Sequence, residues 1–258
     1  MPAFDPKKPS IARVYDYLIG GKDNFGPDRD LADRLLAISP SVGLIFRENR
    51  EFLARAVSWV AEQGVTQFID LGSGLPTEPN THAAAQSVAP AARVVYVDND
   101  PVVLSHLRVE AHRDPTVMAL NLDLNDAGDV LTAAAGHVDL RRPTCLLLGA
   151  VLHFYPAAAG RDLVARYVSA LAPGSYVAIT VGQAAPGAET DRMVSLYSAG
   201  PHPVRIHSPA DFAAFFGELE MVPPGVADAR IWRPGRERVP APAQRATWTI
   251  AGLARVPA

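Results

Sequence analysis

Apolar residues recur with helical spacing in the first quarter of the chain. Ile11, Tyr15 and Leu18 share one face, as do Leu31, Leu35 and Ile38, and then Ile45, Phe52, Val57 and Val60. Such spacing predicts helices over 11–19, 27–38 and about 42–63. Ser10 stands where an N-cap belongs, Pro27 in a first turn, and Gly20-Gly21, Ser39-Pro40 and Gly64 where helices stop. From residue 66 the pattern changes to short apolar runs separated by helical stretches. The runs predict strands near 66–71, 93–98, 116–121, 144–150 and 175–181, with helices near 80–89, 101–112, 126–135 and 158–172. Runs such as Val94-Val95-Tyr96-Val97 and Cys145-Leu146-Leu147-Leu148 carry no polar alternation, as strands buried on both faces require. Alternating strand and helix therefore predicts an α/β fold with a parallel sheet covered on both sides. Further on, helices near 188–198 and 208–216 precede a short strand at 219–222. An irregular Pro- and Arg-rich stretch over 223–245 then leads to a last strand at 246–256.

Composition narrows the functional classes. The 258 residues suffice for one large domain, and 48% hydrophobic with 20% charged residues describes an ordinary globular protein. A net charge of −3 gives no electrostatic reason to expect nucleic acid or a membrane surface as partner. Cys145 is the single cysteine, which excludes disulfides within the chain. The start, MPAFDPKKPS, lacks the apolar core of a signal peptide, and no apolar run approaches the roughly 20 residues that span a bilayer. The expectation is a cytoplasmic protein, with its oligomeric state open.

Candidate chemistry begins at Phe68-Ile69-Asp70-Leu71-Gly72-Ser73-Gly74-Leu75-Pro76-Thr77, which reads as strand, glycine turn and approach to a helix. Glycines at 72 and 74 let the backbone turn sharply and lie against a ligand, although a glycine there often does no more than make the turn. A dinucleotide fingerprint wants a third glycine where Thr77 stands, so the loop suits a ligand without a pyrophosphate. Asp98, with Asn99 beside it, ends the next strand and is placed to accept two ribose hydroxyls; Asp100 before Pro101 is the better helix cap. Asp123 and the adjoining Leu124 N–H end the third strand, where they either read an adenine edge or merely form a turn. Arg50 either meets a ligand carboxylate or forms a surface ion pair.

Four segments, DLGSG, VVYVDNDP, LNLDLND and the Leu171-Ala172-Pro173-Gly174 turn, resemble the class I S-adenosylmethionine-dependent methyltransferases. Pro9 to Phe25 (PSIARVYDYLIGGKDNF), Glu48 to Val57, Gly74-Leu75-Pro76-Thr77 and Ile231-Trp232-Arg233-Pro234 are similar to an actinobacterial methyltransferase family long filed as a domain of unknown function. The resemblance spans nearly the whole chain. It implies a Rossmann-like, seven-stranded, mostly parallel sheet with the last strand antiparallel. Residues 1–64 would form an N-terminal helical cap on an S-adenosylmethionine-binding unit, 65–258, the two making one integrated domain.

On that resemblance, S-adenosyl-L-methionine is the expected cofactor, bound by Asp70, Gly72, Ser73, Gly74, Thr77, Asp98, Asn99, Asp123, Leu124, Ala150 and Arg50. The end of the fourth strand, Gly149 to Tyr155, is expected between cofactor and acceptor, with His153 either a base or a hydrogen-bonded structural histidine. The N-terminal helix reads in two ways. Either Arg13 and Asp16 are solvated and Tyr15 is core, or the segment is a lid whose Tyr15, Tyr17 and Asn24 reach cofactor or acceptor. His202, His207, Trp232 and the arginines within 230–238 are expected near the acceptor, in a spacing that resembles no metal site. The expected partner is a small-molecule acceptor. Competing readings are a cofactor-binding protein without transfer activity and, disfavoured by Thr77, a nicotinamide-dependent oxidoreductase.

Overall fold

The apolar runs assemble into one sheet, which a computed structural model describes through residues 5–198, 202–233 and 247–258. Strands β1 (Gln67–Leu71), β2 (Arg93–Asp98), β3 (Val117–Asn121), β4 (Cys145–Gly149) and β5 (Tyr176–Ala184) are mutually parallel. The long β8 (Thr247–Arg255) runs antiparallel to β5, and the order across the sheet is β3-β2-β1-β4-β5-β8-β6. The order reverses at β1 and β4, where open α/β sheets place ligands beyond the carboxyl ends of the strands.

Seven positions were expected, and the seventh holds two short strands. Both β6 (Glu220–Met221) and β7 (Ala227–Asp228) pair antiparallel with β8, at Arg255–Ala254 and Ala251–Ile250 respectively. Pro223 and Pro224 lie between them and cannot donate ladder hydrogen bonds, so the edge strand is interrupted there. That is why β7 falls inside the stretch expected to be irregular.

Alternating side chains of each parallel strand serve two layers of helices. Phe68, Val94 and Leu147 pack with α3 (Val42–Glu62), α4 (Thr81–Gln86) and α5 (Pro101–Arg113). Ile69, Val95, Leu146 and Leu148 pack with α6 (Ala127–Ala134), α7 (Ala157–Val168) and α9 (Pro209–Ala214). A third cluster joins Val14 and Leu18 of α1 (Ile11–Ile19), Ala32 and Leu35 of α2 (Gly26–Ile38), and Met193 of α8 (Ala188–Ser198). No helix among the described residues is long and apolar enough to cross a membrane.

Two local expectations change. Ser10 does not cap α1 with its side chain; its Oγ donates to Asp100 Oδ2 at 2.5 Å, fastening the start of α1 to the end of β2. Arg13 and Asp16 are not solvated but buried, 3% and 4% exposed. Arg13 Nε meets Asp28 Oδ2 at 2.8 Å, while the backbone N–H groups of Ser10 and Phe25 also donate to the Asp28 carboxylate. Asp16 Oδ2 receives the Asp23 N–H and Asn24 Nδ2 and so holds the loop that follows α1.

Candidate active site

The loop after β1 is stapled to β2: the Gly72 N–H donates to the Val97 carbonyl at 2.8 Å. Gly72 and Gly74 are both left-handed, at φ 64° and 66°, a region that costs any L side chain strain. Their surroundings differ. A Cβ at Gly72 would lie 2.8 Å from Val151 Cγ2, so this glycine makes room for the end of β4. A Cβ at Gly74 would meet only Arg50 Nη2, at 3.8 Å, so the surface of the loop is open there. Asp70, just before, is buried and accepts from Thr81 Oγ1 at 2.7 Å, which ties β1 to α4. Burial pushes its carboxyl upward, opposed by the Thr81 hydrogen bond and by Arg50.

Asp98 faces the same loop. Its Oδ2 receives the Gly74 N–H and its Oδ1 the Asp100 N–H, each at 2.9 Å. Burial pushes this carboxyl up to about 6 against the pull of those backbone N–H groups. A carboxylate has about four acceptor positions, so each oxygen keeps one for a further donor, which is what a vicinal diol needs. Asp123 lies beyond, with Asn99 Nδ2 donating to its Oδ2 at 3.3 Å and Asn125 to its Oδ1. The Leu124 carbonyl accepts the Tyr167 hydroxyl at 2.7 Å, and its side chain comes within reach of Gly72.

On the other side, α3 delivers Asn49 and Arg50. Arg50 Nη2 donates to the carbonyls of Leu75 at 2.9 Å and Ser73 at 3.4 Å, and its guanidinium lies over the Tyr15 ring at 5.3 Å. Arg50 Nε and Ser73 Oγ are buried beside the loop without a hydrogen-bond partner. Buried polar atoms are ordinarily paired, so this pair marks where a polar ligand belongs.

Asn49 belongs to a directed chain of hydrogen bonds that sequence alone does not show. The Ala150 N–H donates to Thr180 Oγ1 (2.8 Å), whose hydroxyl donates to Asn49 Oδ1 (2.5 Å). Asn49 Nδ2 donates to the Tyr15 hydroxyl (2.8 Å), which donates to the Phe46 carbonyl (2.7 Å). Ala150 is held left-handed at φ 57°, rare for a residue with a Cβ and typical of strained positions at functional sites. The Tyr15 hydroxyl thus has both its partners within the protein, which makes it a strut between α1 and α3. Burial raises its pKa, against the opposing charge of Arg50.

Past Ala150, the 3-10 turn Leu152–Phe154 carries His153, 8% exposed, with Nδ1 buried and unpartnered. Burial, with the neighbouring His207, lowers its pKa to about 3, so the imidazole is neutral. His207 itself is spent on the Leu152 carbonyl at 3.0 Å. Ala150, Asn49 and His153 form one wall of an apolar chamber that reaches Phe46 and, on α8, Met193 and Tyr197.

Other expected residues stand apart from this arrangement. The Tyr17 hydroxyl donates to Asp33 on α2, and Asn24 is committed to Asp16, the Gly21 carbonyl and Arg29. Thr77 Oγ1 turns back to the Leu75 carbonyl at 3.3 Å. Trp232 is fully buried against Phe52, ring centroids 5.0 Å apart, and His202 is exposed. Arg236 and Arg238 lie outside the described residues.

The sequence matches the model of a family described as S-adenosyl methyltransferase over residues 1–257. A crystal structure of a candidate methyltransferase from Thermobifida fusca YX is 38% identical, with a TM-score of 0.92, covering 98% of this chain and 96% of that one. A DUF574 family protein from Streptomyces avermitilis MA-4680 is 36% identical, also at 0.92, covering 98% and 99%. Magnesium protoporphyrin IX methyltransferase from Synechocystis PCC 6803 shares the fold at 14% identity and a TM-score of 0.53, covering 94% and 92%. No functionally curated protein matches the chain in sequence.

Proposed function

Because the chain belongs to the S-adenosyl methyltransferase family, its cofactor is S-adenosyl-L-methionine, and we propose that it methylates a small-molecule acceptor held over Ala150 and His153. The observation that carries this reading is the shared wall. Asn49 and Ala150, which line the apolar chamber, adjoin in sequence Arg50 and Val151, which cover the glycine loop. Two compartments, one polar and one apolar, meet at the end of β4.

The residues present suit the cofactor. Asp98 has the two spare acceptor positions a ribose diol requires, and Gly74 leaves the backbone open to it. Arg50 Nε and Ser73 Oγ are unsatisfied donors where a carboxylate end would lie, and Asp123 with Asn99 stands at the opposite, adenine end. S-adenosyl-L-methionine, when bound, supplies an electrophilic methyl group. What the chain contributes is orientation and dryness: aligning nucleophile and electrophile accounts for much of such an acceleration. The Thr180–Asn49–Tyr15 chain keeps the end of β4 in place, and the buried chamber keeps bulk water from the acceptor. His153, neutral across the physiological range, offers Nδ1 to an acceptor hydrogen.

Incubation with S-adenosyl-L-methionine and a fractionated metabolite extract, read by mass spectrometry, tests the proposal. A product heavier than its precursor by one methylene, formed together with S-adenosylhomocysteine, is the expected result. Cofactor binding without any methylated product from extracts of several sources would favour the non-catalytic reading. Thermal stabilisation by NAD and by neither S-adenosyl compound would overturn both.

A further inference from the structure

The chamber beyond the shared wall has a chemistry of its own. Its apolar surface comes from Leu35, Val42 and Phe46 on one side and Met193 and Val194 on the other, and no Lys, Arg, Asp or Glu lines it. Most polar atoms on the lining already have partners. Asn49 is spent on Thr180 and Tyr15, Gln183 Nε2 donates to the His207 carbonyl, and Thr249 Oγ1 donates to the Ile45 carbonyl. His153 Nδ1 is the lining atom that is buried and has no partner. Phe46 and Tyr197 add two aromatic rings, which favour a flat ligand.

A charged group carried into this space would lose its hydration and find no counter-charge, a cost of several kcal/mol in real proteins. A hydroxyl or ring N–H, by contrast, would satisfy the one orphaned nitrogen. On the methyltransferase reading above, we infer that the acceptor is an uncharged, flat, mostly apolar molecule whose single donor group hydrogen-bonds to His153 Nδ1. The chamber then acts as a charge filter, and His153 sets the orientation in which the acceptor group faces the end of β4.

The test uses the full-length protein loaded with S-adenosylhomocysteine and titrated calorimetrically with four ring-matched probes: naphthol, its methyl ether, naphthoate and naphthylmethylammonium. Naphthol should bind at least about tenfold more tightly than either charged probe, and more tightly than its ether. His153→Leu should abolish the difference between naphthol and ether. Gly182→Val, whose new Cβ lies 3.9 Å from Ile45 Cγ2, and Val194→Phe should each narrow the chamber and weaken naphthol by about tenfold or more. Both should leave the affinity for S-adenosylhomocysteine within about twofold. Failure of naphthol to bind, equal binding of a charged probe, or indifference to both chamber variants would overturn the inference. Failure of the wild-type protein to bind S-adenosylhomocysteine would instead bring down the reading on which it rests.

Discussion

Asp98 carries a signature that other carboxylates here do not. Its pKa of about 6 is raised by burial, so folding favours the protonated form. Stability of the ligand-free protein should therefore be higher below the ordinary carboxylate range and fall as pH rises through about 6. Cofactor affinity should move oppositely, because ribose hydroxyls need the ionised acceptor: it should rise towards pH 6 and level off above. Calorimetry across this range checks both, and Asp98→Asn should flatten both profiles. The two glycines separate just as cleanly. Gly72→Ala should destabilise by about 2–4 kcal/mol, through strain and the clash with Val151. Gly74→Ala should cost only about 1–2 kcal/mol of stability yet lower cofactor affinity markedly, since the added methyl occupies ligand space. Asp98, Asp123 and the glycine loop could be named from sequence because each ends an apolar run in a recognisable turn. Asn49 and Thr180 could not, since a hydrogen bond between residues 131 positions apart leaves no local pattern.

Among the elements, α1 shows how periodicity can find a helix and still misjudge its faces. Val14 and Leu18 are buried as an apolar stripe should be, but Arg13 and Asp16 are buried with them. Side chains that read as solvated are satisfied by partners on α2 and the loop after α1, which no hydrophobic count reveals. The buried Arg13–Asp28 pair should accordingly be intolerant of change. Asp28→Asn leaves the guanidinium buried without its counter-charge and should cost about 3 kcal/mol or more, measured by denaturant unfolding. The double variant Arg13→Met with Asp28→Asn should recover part of that loss. The paired β6 and β7 teach a related lesson: two-residue strands flanking prolines carry too little pattern to be read, and only their pairing with β8 defines them.

Across the whole molecule, the sheet order, the two helical layers and the antiparallel last strand all follow from runs visible in the sequence. The chamber does not, because it is enclosed by segments from α2, α3, α8, β5 and β8 that come together only in the fold. The N-terminal segment spans both compartments: Ser10 is fastened to Asp100 beside the ribose acceptor, and Tyr15 lies under Arg50 beside the chamber. Removing residues 1–26 should thus weaken cofactor binding at least about tenfold, measured by calorimetry after circular dichroism has established that the truncated chain is folded. The central claim, that the crevice between the glycine loop and Asp98 holds the cofactor, is tested most directly by titrating S-adenosylhomocysteine into the wild-type protein and into Asp98→Ala. The account predicts saturable one-to-one binding that weakens about a hundredfold in the variant, the equivalent of two charge-assisted hydrogen bonds. Equal affinity of the two proteins would contradict it.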